Sequence, residues 1–409
     1  MNNENNSNTK LNITLIRIVG NFYPIIGGSV THQIELINAM NPYLSQQILI
    51  APRYNNMDTT FDDTFCIPII RLRSQIIQSD ILDNKPLFPA FNLIYFSLIS
   101  ILESRKIVKH KNKENNTIIH VHNLLLGEFL MIFSKIFFMK LPIVIINHGS
   151  PMYLESNTLR PKITREIICL LLRVFKPDYY ENLNDGTIDP SFVDFLNKEK
   201  IKNIVVNHGI DTDFFKPSIH AKKDDEFIIL STHRLDNFKR VDLSIKIFKS
   251  FMNKIGYNQN VKLKIVGDGP QCQELKKLVS SFNLNQNVIF CGNKNIEDLK
   301  NEINLSDIVL GTSIVSNINR SILEAMACEK PVIIFKSGNI DDLFVNMENI
   351  IFVSPKNIEE FADKMKLLWE NRELREKIGK NARSLIISSR SWNQRIQQEL
   401  EVYRTLISE

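Results

Sequence analysis

Arg234 and Lys239 stand five residues apart in STHRLDNFKRVD (231–242), between a run that reads as a strand and one that reads as a helix. Arginine offers a planar fork of donors and lysine a mobile point charge, a combination suited to a diphosphate. The same stretch holds Asp236, Arg240 and Asp242, so a solvated, charged helix entry accounts for it as well. In KIVGDGP (264–270), Gly267 and Gly269 permit a tight turn and the close approach of a ligand, and Pro270 suits the first position of a helix. An ordinary strand–turn–helix corner would have the same composition. The dinucleotide fingerprint G-x-G-x-x-G needs glycine at 272, where Cys272 stands, which disfavours a nicotinamide enzyme. Gly27 and Gly28, in FYPIIGGSV (22–30), precede a helix whose first amides would face a phosphate or a sugar. A glycine pair alone is weak evidence.

NRSILEAMACEKPVII (319–334) carries a carboxylate, Glu324, among residues that belong inside a protein. Ser321 and Glu324 match the S-x-x-E capping box, in which the glutamate reaches back to the cap residue's amide. Alternatively, a carboxylate in the first helical turn, facing a cleft, accepts two hydrogen bonds from a ribose diol. His120 and His122 are spaced i, i+2 at a strand end, and His148, His208 and His233 also follow or end strands. No acidic residue recurs beside them at ligand spacing, so no metal site is expected. His148, in INHGS, is the candidate for hydrogen-bonding a substrate hydroxyl.

The elements that must position these residues are short apolar runs alternating with helical patterns. LNITLIRIV (11–19), QQILIAP, TIIHVHN and PIVIINHG read as buried strands, and 30–40 has helical periodicity. The pattern restarts near residue 226 with EFIILSTHR, KLKIVGDGP, NVIFCGN, DIVLGTS and KPVIIFK, separated by helices over 241–254, 271–282, 296–303 and about 320–328. Alternation of this kind predicts a parallel sheet covered on both faces, here twice. The expected organisation is a disordered tail (1–10), a first Rossmann-like domain (11–207), a second (208–390) and a last helix (391–409) that could reach back to the first domain. Such doubly wound domains bind ligands outside the carboxyl ends of their strands, so the informative residues should sit just after strands, facing a central cleft.

The bulk numbers narrow the partners. The 409 residues are 44% hydrophobic and 23% charged, an ordinary globular balance. Lys+Arg against Asp+Glu is 22 to 20 for residues 1–216 and 28 to 25 for the rest, too even for a nucleic-acid-binding surface. Cys66, Cys169, Cys272, Cys291 and Cys328 are odd in number and form no C-x-x-C pair, and no secretory signal precedes the first strand, so a cytoplasmic setting is expected. PLFPAFNLIYFSLISIL (86–102) and FLMIFSKIFFMKLPIVII (129–146) are strongly apolar but short or interrupted for a span. Helices covering a buried sheet explain them; with the basic run RKIVKHKNK (105–113), peripheral contact with the inner face of a membrane is the competing reading.

Taken in order, GG near the start, HG, GID…F.P, HRLDNFKR, VGDGP and EAMACEKPVI resemble the retaining GT-B glycosyltransferases of the large family 4 (glycosyl transferases group 1), over nearly the whole chain after the tail. The resemblance implies an α/β GT-B fold and transfer of a sugar from a UDP- or GDP-linked donor to a glycan, polyprenyl-linked or small-molecule hydroxyl, with no metal and no other cofactor. It implies that Arg234 and Lys239 bind the donor diphosphate, that Glu324 holds the ribose, and that His148 lies near the transferred sugar. Gly27 and Gly28 would form the N-terminal glycine loop, and Asn319, Arg320 and Ser321 the phosphate-cradling helix start. The chain departs from the family where Ser316 replaces the first glutamate of E-x7-E, His208 the usual asparagine, and Glu329 the usual glycine. These departures are expected on the sugar side of the pocket. A nucleotide-binding pseudoenzyme scaffold and a sugar-nucleotide epimerase or hydrolase are the alternatives.

Overall fold

The computed structural model describes residues 10–25, 28–54, 57–73, 87–111, 116–147, 159–218, 226–257, 259–313 and 317–408. Gly27, His148 and Ser316 lie outside the described residues. The chain divides into two compact units. One comprises Met1–Leu183, Asp189–Val206 and Arg395–Glu409, the other Asn184–Ile188 and Asn207–Gln394.

The first unit runs β1 Leu11–Val19, α1 Gly28–Met40, β2 Leu44–Arg53, the short α2 Thr60–Thr64, β3 Ile69–Arg73, α3 Leu87–Lys111, β4 Thr117–His122, α4 Leu124–Ile136, β5 Ile143–Asn147, α5 Leu159–Val174, β6 Tyr179–Asn184, α6 Pro190–Lys198 and β7 Asn203–Asn207. Its parallel sheet has the order β3-β2-β1-β4-β5-β6-β7. The second runs β8 Phe227–Thr232, α7 Val241–Ile255, β9 Val261–Val266, α8 Cys272–Ser281, β10 Val288–Gly292, α9 Ile296–Leu305, β11 Ile308–Gly311, α10 Arg320–Ala327, β12 Val332–Phe335, β13 Ile351–Val353, α11 Ile358–Glu370 and α12 Arg372–Ser389. Its sheet order is β10-β9-β8-β11-β12-β13. The last helix, α13 Trp392–Ser408, places all but its first turn in the first unit. In each sheet the strand order reverses once, between β1 and β4 and between β8 and β11, which is where doubly wound sheets open a ligand crevice.

The strands read as unbroken apolar runs because both faces are covered: all six residues of β8 and the last seven of β1 are buried. The apolar stretch 86–102 enters α3, where Phe96 and Ile101 are fully buried. The serines that interrupt it do not prevent burial, since Ser97 and Ser104 hydroxyls bond the carbonyls of Leu93 and Ser100 one turn back. Among the described residues no helix is long and apolar enough to cross a membrane.

One face of the first sheet buries an ionic network. Arg17 donates to Gln47 and contacts His122 Nε2 at 3.0 Å, and Tyr403 Oη lies 2.7 Å from His120 Nδ1 and donates to Glu399. Arg395 pairs with both Glu181 and Glu399. The fold thus brings two carboxylates beside His120 that sequence spacing did not place there, with donor atoms of His120, Glu181 and Glu399 within 4.8 Å of one another. Two guanidinium groups already supply the positive charge that a metal ion would bring. Burial alone would raise Glu399, but Arg395, His120 and Arg17 outweigh it and hold it low; burial and the Glu399 charge push Glu181 up.

Helix α10 ends at Cys328, and Glu329 follows with φ +59°. This is the left-handed C′ position that glycine ordinarily fills. It lies at the far end of α10 from Asn319, so the glycine-to-glutamate departure is a backbone matter and not part of the sugar side of a pocket. Helix α12 packs tightly here: a Cβ on Gly379 would stand 2.0 Å from the Glu329 carbonyl oxygen. Glu329→Gly is expected to raise stability by about 0.5–1 kcal/mol through relief of left-handed strain. The urea midpoint checks it; a lower midpoint would mean that the 3.9 Å approach of Arg383 to Glu329 matters more.

Candidate functional site

The carboxyl ends of β8 and β9 converge in the second unit. The loop after β8 is fastened to the loop after β9 by His233 N–H donating to Val266 O, Leu235 N–H to Asp268 O, and Gln271 N–H to Leu235 O, each at 3.0 Å. Gly267, with φ +133°, would place a Cβ 2.0 Å from the His233 carbonyl oxygen, and one on Gly269 would stand 2.4 Å from that of Leu235. The close approach that these glycines permit is therefore loop against loop. They do not touch a ligand by necessity; they set the path of 233–240.

Within that loop Asp236 Oδ1 accepts the amides of Phe238 and Lys239 at 3.0 and 3.1 Å, a local turn that sends residue 239 back toward the sheet. The Thr312 and Ser313 hydroxyls, just after β11, donate to the carbonyls of Lys239 and Phe238. Arg240 then adopts φ +51° before α7 begins, its guanidinium forked onto Asp242. The two cations of the motif end in different surroundings. Arg234 is 53% exposed, 3.8 Å from Asp236. Lys239 is half-buried, and burial lowers its pKa against the opposing pull of Asp236 and Asp185. Burial and the Lys239 charge push His233 down to about 3, so this buried imidazole is neutral. Its Nε2 has no hydrogen-bond partner among the described residues.

Asp185 was not legible as a site residue. The segment 184–188, at the end of β6, packs in the second unit: Asp185 O accepts from Ile318 N–H at 3.3 Å and Gly186 O from Asn339 N–H at 3.1 Å. Its buried carboxylate accepts Thr187 N–H at 3.0 Å and Thr187 Oγ1 at 2.5 Å. The sequence signal was only the turn dipeptide Asp-Gly after a polar strand. Asn317 was missed as well. It is buried, and its amide bonds Phe335 O, Ser337 O and Ser337 Oγ, tying the loop before α10 to the end of β12.

Helix α10 begins at Arg320, and its cap is Asn319, whose side chain accepts from Ile322 N–H. The Ser321–Glu324 capping box is not formed: Ser321 Oγ instead donates to Asn319 Oδ1 at 2.7 Å. Glu324 lies one residue beyond the first turn, buried, with its carboxylate 2.7 Å from Arg320 Nε. An i, i+4 pair of this kind orients the carboxylate and leaves the leading amides of the helix at the end that carries Asn319. The fold therefore brings Lys239, Asp185 and the 317–319 turn into one neighbourhood. Arg234, Gly267 and Gly269 line the adjoining loops. Gly28 is the exposed first residue of α1, in the other unit, and a Cβ there would meet nothing within 4 Å.

Residues 213–385, which hold this arrangement except for 184–188, match the glycosyl transferases group 1 family. An uncharacterized glycosyltransferase of Methanocaldococcus jannaschii is 23% identical, with 97% of this chain and 99% of the relative aligned. Alpha-D-kanosaminyltransferase of Streptomyces kanamyceticus is 26% identical over 45% of this chain and 47% of its own. In fold, the chain resembles HepE of Anabaena, solved in complex with UDP, with a TM-score of 0.74, 17% identity and coverage of 96% of this chain and 100% of that one. With both doubly wound sheets accounted for, the chain has the GT-B fold, and its second unit matches the glycosyl transferases group 1 family over residues 213–385.

Proposed function

We propose that the chain transfers a sugar, with retention at the anomeric carbon, from a nucleoside diphosphate donor to an acceptor hydroxyl of a glycan, lipid-linked or small molecule. The observation that carries this reading is the half-buried Lys239, whose carbonyl is bonded by Thr312 just after β11 and whose ammonium feels the Asp185 charge. A buried ammonium is under-solvated, and a diphosphate is the ligand that would relieve it. As the glycosidic bond breaks, negative charge gathers on the departing diphosphate. Lys239, Arg234 and the leading amides of α10 would stabilise that charge more than they stabilise the ground state, which is what accelerates a reaction. Glu324, oriented by Arg320, would accept hydrogen bonds from the ribose. Cations on the protein make a metal ion unnecessary in this scheme. That HepE was solved with UDP supports a uridine donor over a guanosine one.

The test is a thermal-shift series with UDP, GDP, ADP and their sugar conjugates on wild type and Arg234→Ala. A ligand that binds only the folded chain raises its melting temperature, by roughly 2.7 kcal/mol of stabilisation at a hundredfold excess over Kd. One nucleotide family is expected to shift the wild type and to lose most of that shift in Arg234→Ala, with turnover unaffected by chelators. A cooperatively melting wild type that responds to no nucleotide would overturn the donor site. Nucleotide binding with no transfer to any acceptor would favour the scaffold, to which Ser316 in place of the family's glutamate lends support.

A further inference from the structure

Helices α3, α4 and α5 lie side by side over one face of the first sheet, and their inner sides form its core through Phe96, Leu130 and Leu172. Their sequences are unusually basic. Across Leu87–Lys111, 124–142 and Leu159–Val174, Lys and Arg outnumber Asp and Glu ten to three, against 50 to 45 for the whole chain. One of those three acids, Glu128, is buried. Among the exposed basic residues, Arg105, Lys109, Lys135 and Lys140 make no ion pair within the described residues. Glu103, Glu166, Asp178, Asp189 and Glu199 are acids nearby; of these Glu103 pairs with Lys106, Asp189 with Arg165, and Glu199 with Arg173 and Lys176, while the exposed Asp178 accepts the Ile143 amide at 2.8 Å.

Most of the described large apolar side chains that the unit leaves in water stand on or next to these helices, Val205 and Ile407 being elsewhere. Ile136 ends α4, Leu170 and Val174 stand in the last turns of α5, and Phe138 is 89% exposed. Phe138 closes α4 in the left-handed region, φ +51°, with its N–H on Lys135 O. A bulky residue at that position costs stability where glycine would cost none, and its ring gains no packing in return. Helices that follow parallel strands run antiparallel to them, so the carboxyl-terminal ends of α3, α4 and α5 share one rim of the layer. That rim combines Phe138, Ile136, Leu170 and Val174 with Lys135 and Lys140. It differs from the surface expected from the apolar stretch 86–102, where Phe96 and Ile101 are buried and Phe91 and Tyr95 are exposed.

We infer that this rim docks on an anionic lipid bilayer, with Phe138 and its apolar neighbours entering the headgroup region and Lys135, Lys140, Lys109 and Arg105 meeting the lipid charge. An exposed aromatic flanked in the chain by lysines suits that surface, where each basic residue strengthens attachment and apolar area adds to it. Cations without an ion pair among the described residues, Lys135 and Lys140 flanking Phe138 in the chain, disfavour a second copy of the same basic rim as its occupant.

The full chain is to be sedimented with phosphatidylglycerol–phosphatidylcholine vesicles and with phosphatidylcholine alone. Binding is expected only where phosphatidylglycerol is present, and it should fall away at about 0.5 M salt, where the Debye length shrinks to a few ångströms. Lys135→Glu/Lys140→Glu and Phe138→Gly are each expected to lower partitioning roughly tenfold or more. Phe138→Gly suits the left-handed backbone, so its melting temperature should hold or rise and misfolding is not an explanation for lost binding. A folded wild type that ignores anionic vesicles overturns the inference. So does undiminished vesicle binding by both variants, or a dimer that the same substitutions dissociate without any vesicle binding.

Discussion

Lys239→Ala is expected to lower kcat/KM by about 10²–10³-fold, most of it in kcat, with little loss of folded stability. The two halves of this outcome have one cause. Burial already works against the ammonium, so deleting it removes a desolvated charge and does not weaken the core. What is lost is charge stabilisation at the point where a leaving diphosphate would become most negative. Lys239→Arg should not rescue, because a planar fork does not replace a compact point charge in a half-buried position. Arg234→Ala should act differently. Its side chain is half in water, so solvent screens its charge and the loss in kcat should be smaller than for Lys239→Ala. Steady-state kinetics of the three variants, with urea midpoints for each, decide the matter. A Lys239→Ala enzyme within threefold of wild type would remove Lys239 from the chemistry.

The contrast between these two cations was not in the sequence. HRLDNFKR offered both with equal weight, and only the local turn built by Asp236 and the hydroxyls of Thr312 and Ser313 turns Lys239 inward. Strands such as LNITLIRIV and FIILST were legible because a buried parallel strand is apolar throughout. Tyr179–Asn184 was not, although it lies inside its sheet between β5 and β7. Its Glu181 is tolerated inside because Arg395 arrives from 214 residues away, a partner that no local pattern reveals. The three-residue β13 is too short to show a period. The break between α11 and α12 turns on Asn371, whose side chain caps the second helix at Leu374 N–H within what reads as one helical stretch. The capping box failed for a related reason: Asn319, two residues earlier, already serves as the cap, which frees Glu324 to pair with Arg320.

Glu128→Gln should leave stability unchanged near pH 4.5 and raise it by roughly 3 kcal/mol at pH 7. Glu128, on α4, is fully buried, and neither carboxylate oxygen has a hydrogen-bond partner among the described residues. The nearby Tyr180 hydroxyl is also without one, and burial and the Glu128 charge both push its pKa up. Burial raises the Glu128 carboxyl to about 8 from an ordinary 4.5. The unfolded chain therefore releases this proton near pH 4.5, whereas the folded chain keeps it until pH 8. Between those values the folded state binds more protons, so stability falls as pH rises, by about 1.4 kcal/mol per unit until the folded group itself ionises. Glutamine has nearly the same shape and cannot titrate, so it removes the slope and keeps the packing. Urea denaturation of both proteins at pH 5, 6, 7 and 8 measures it directly. Parallel stability curves would show that Glu128 finds a partner in solution, and a gap that widens with pH would show a neutral acid held in an apolar core at physiological pH.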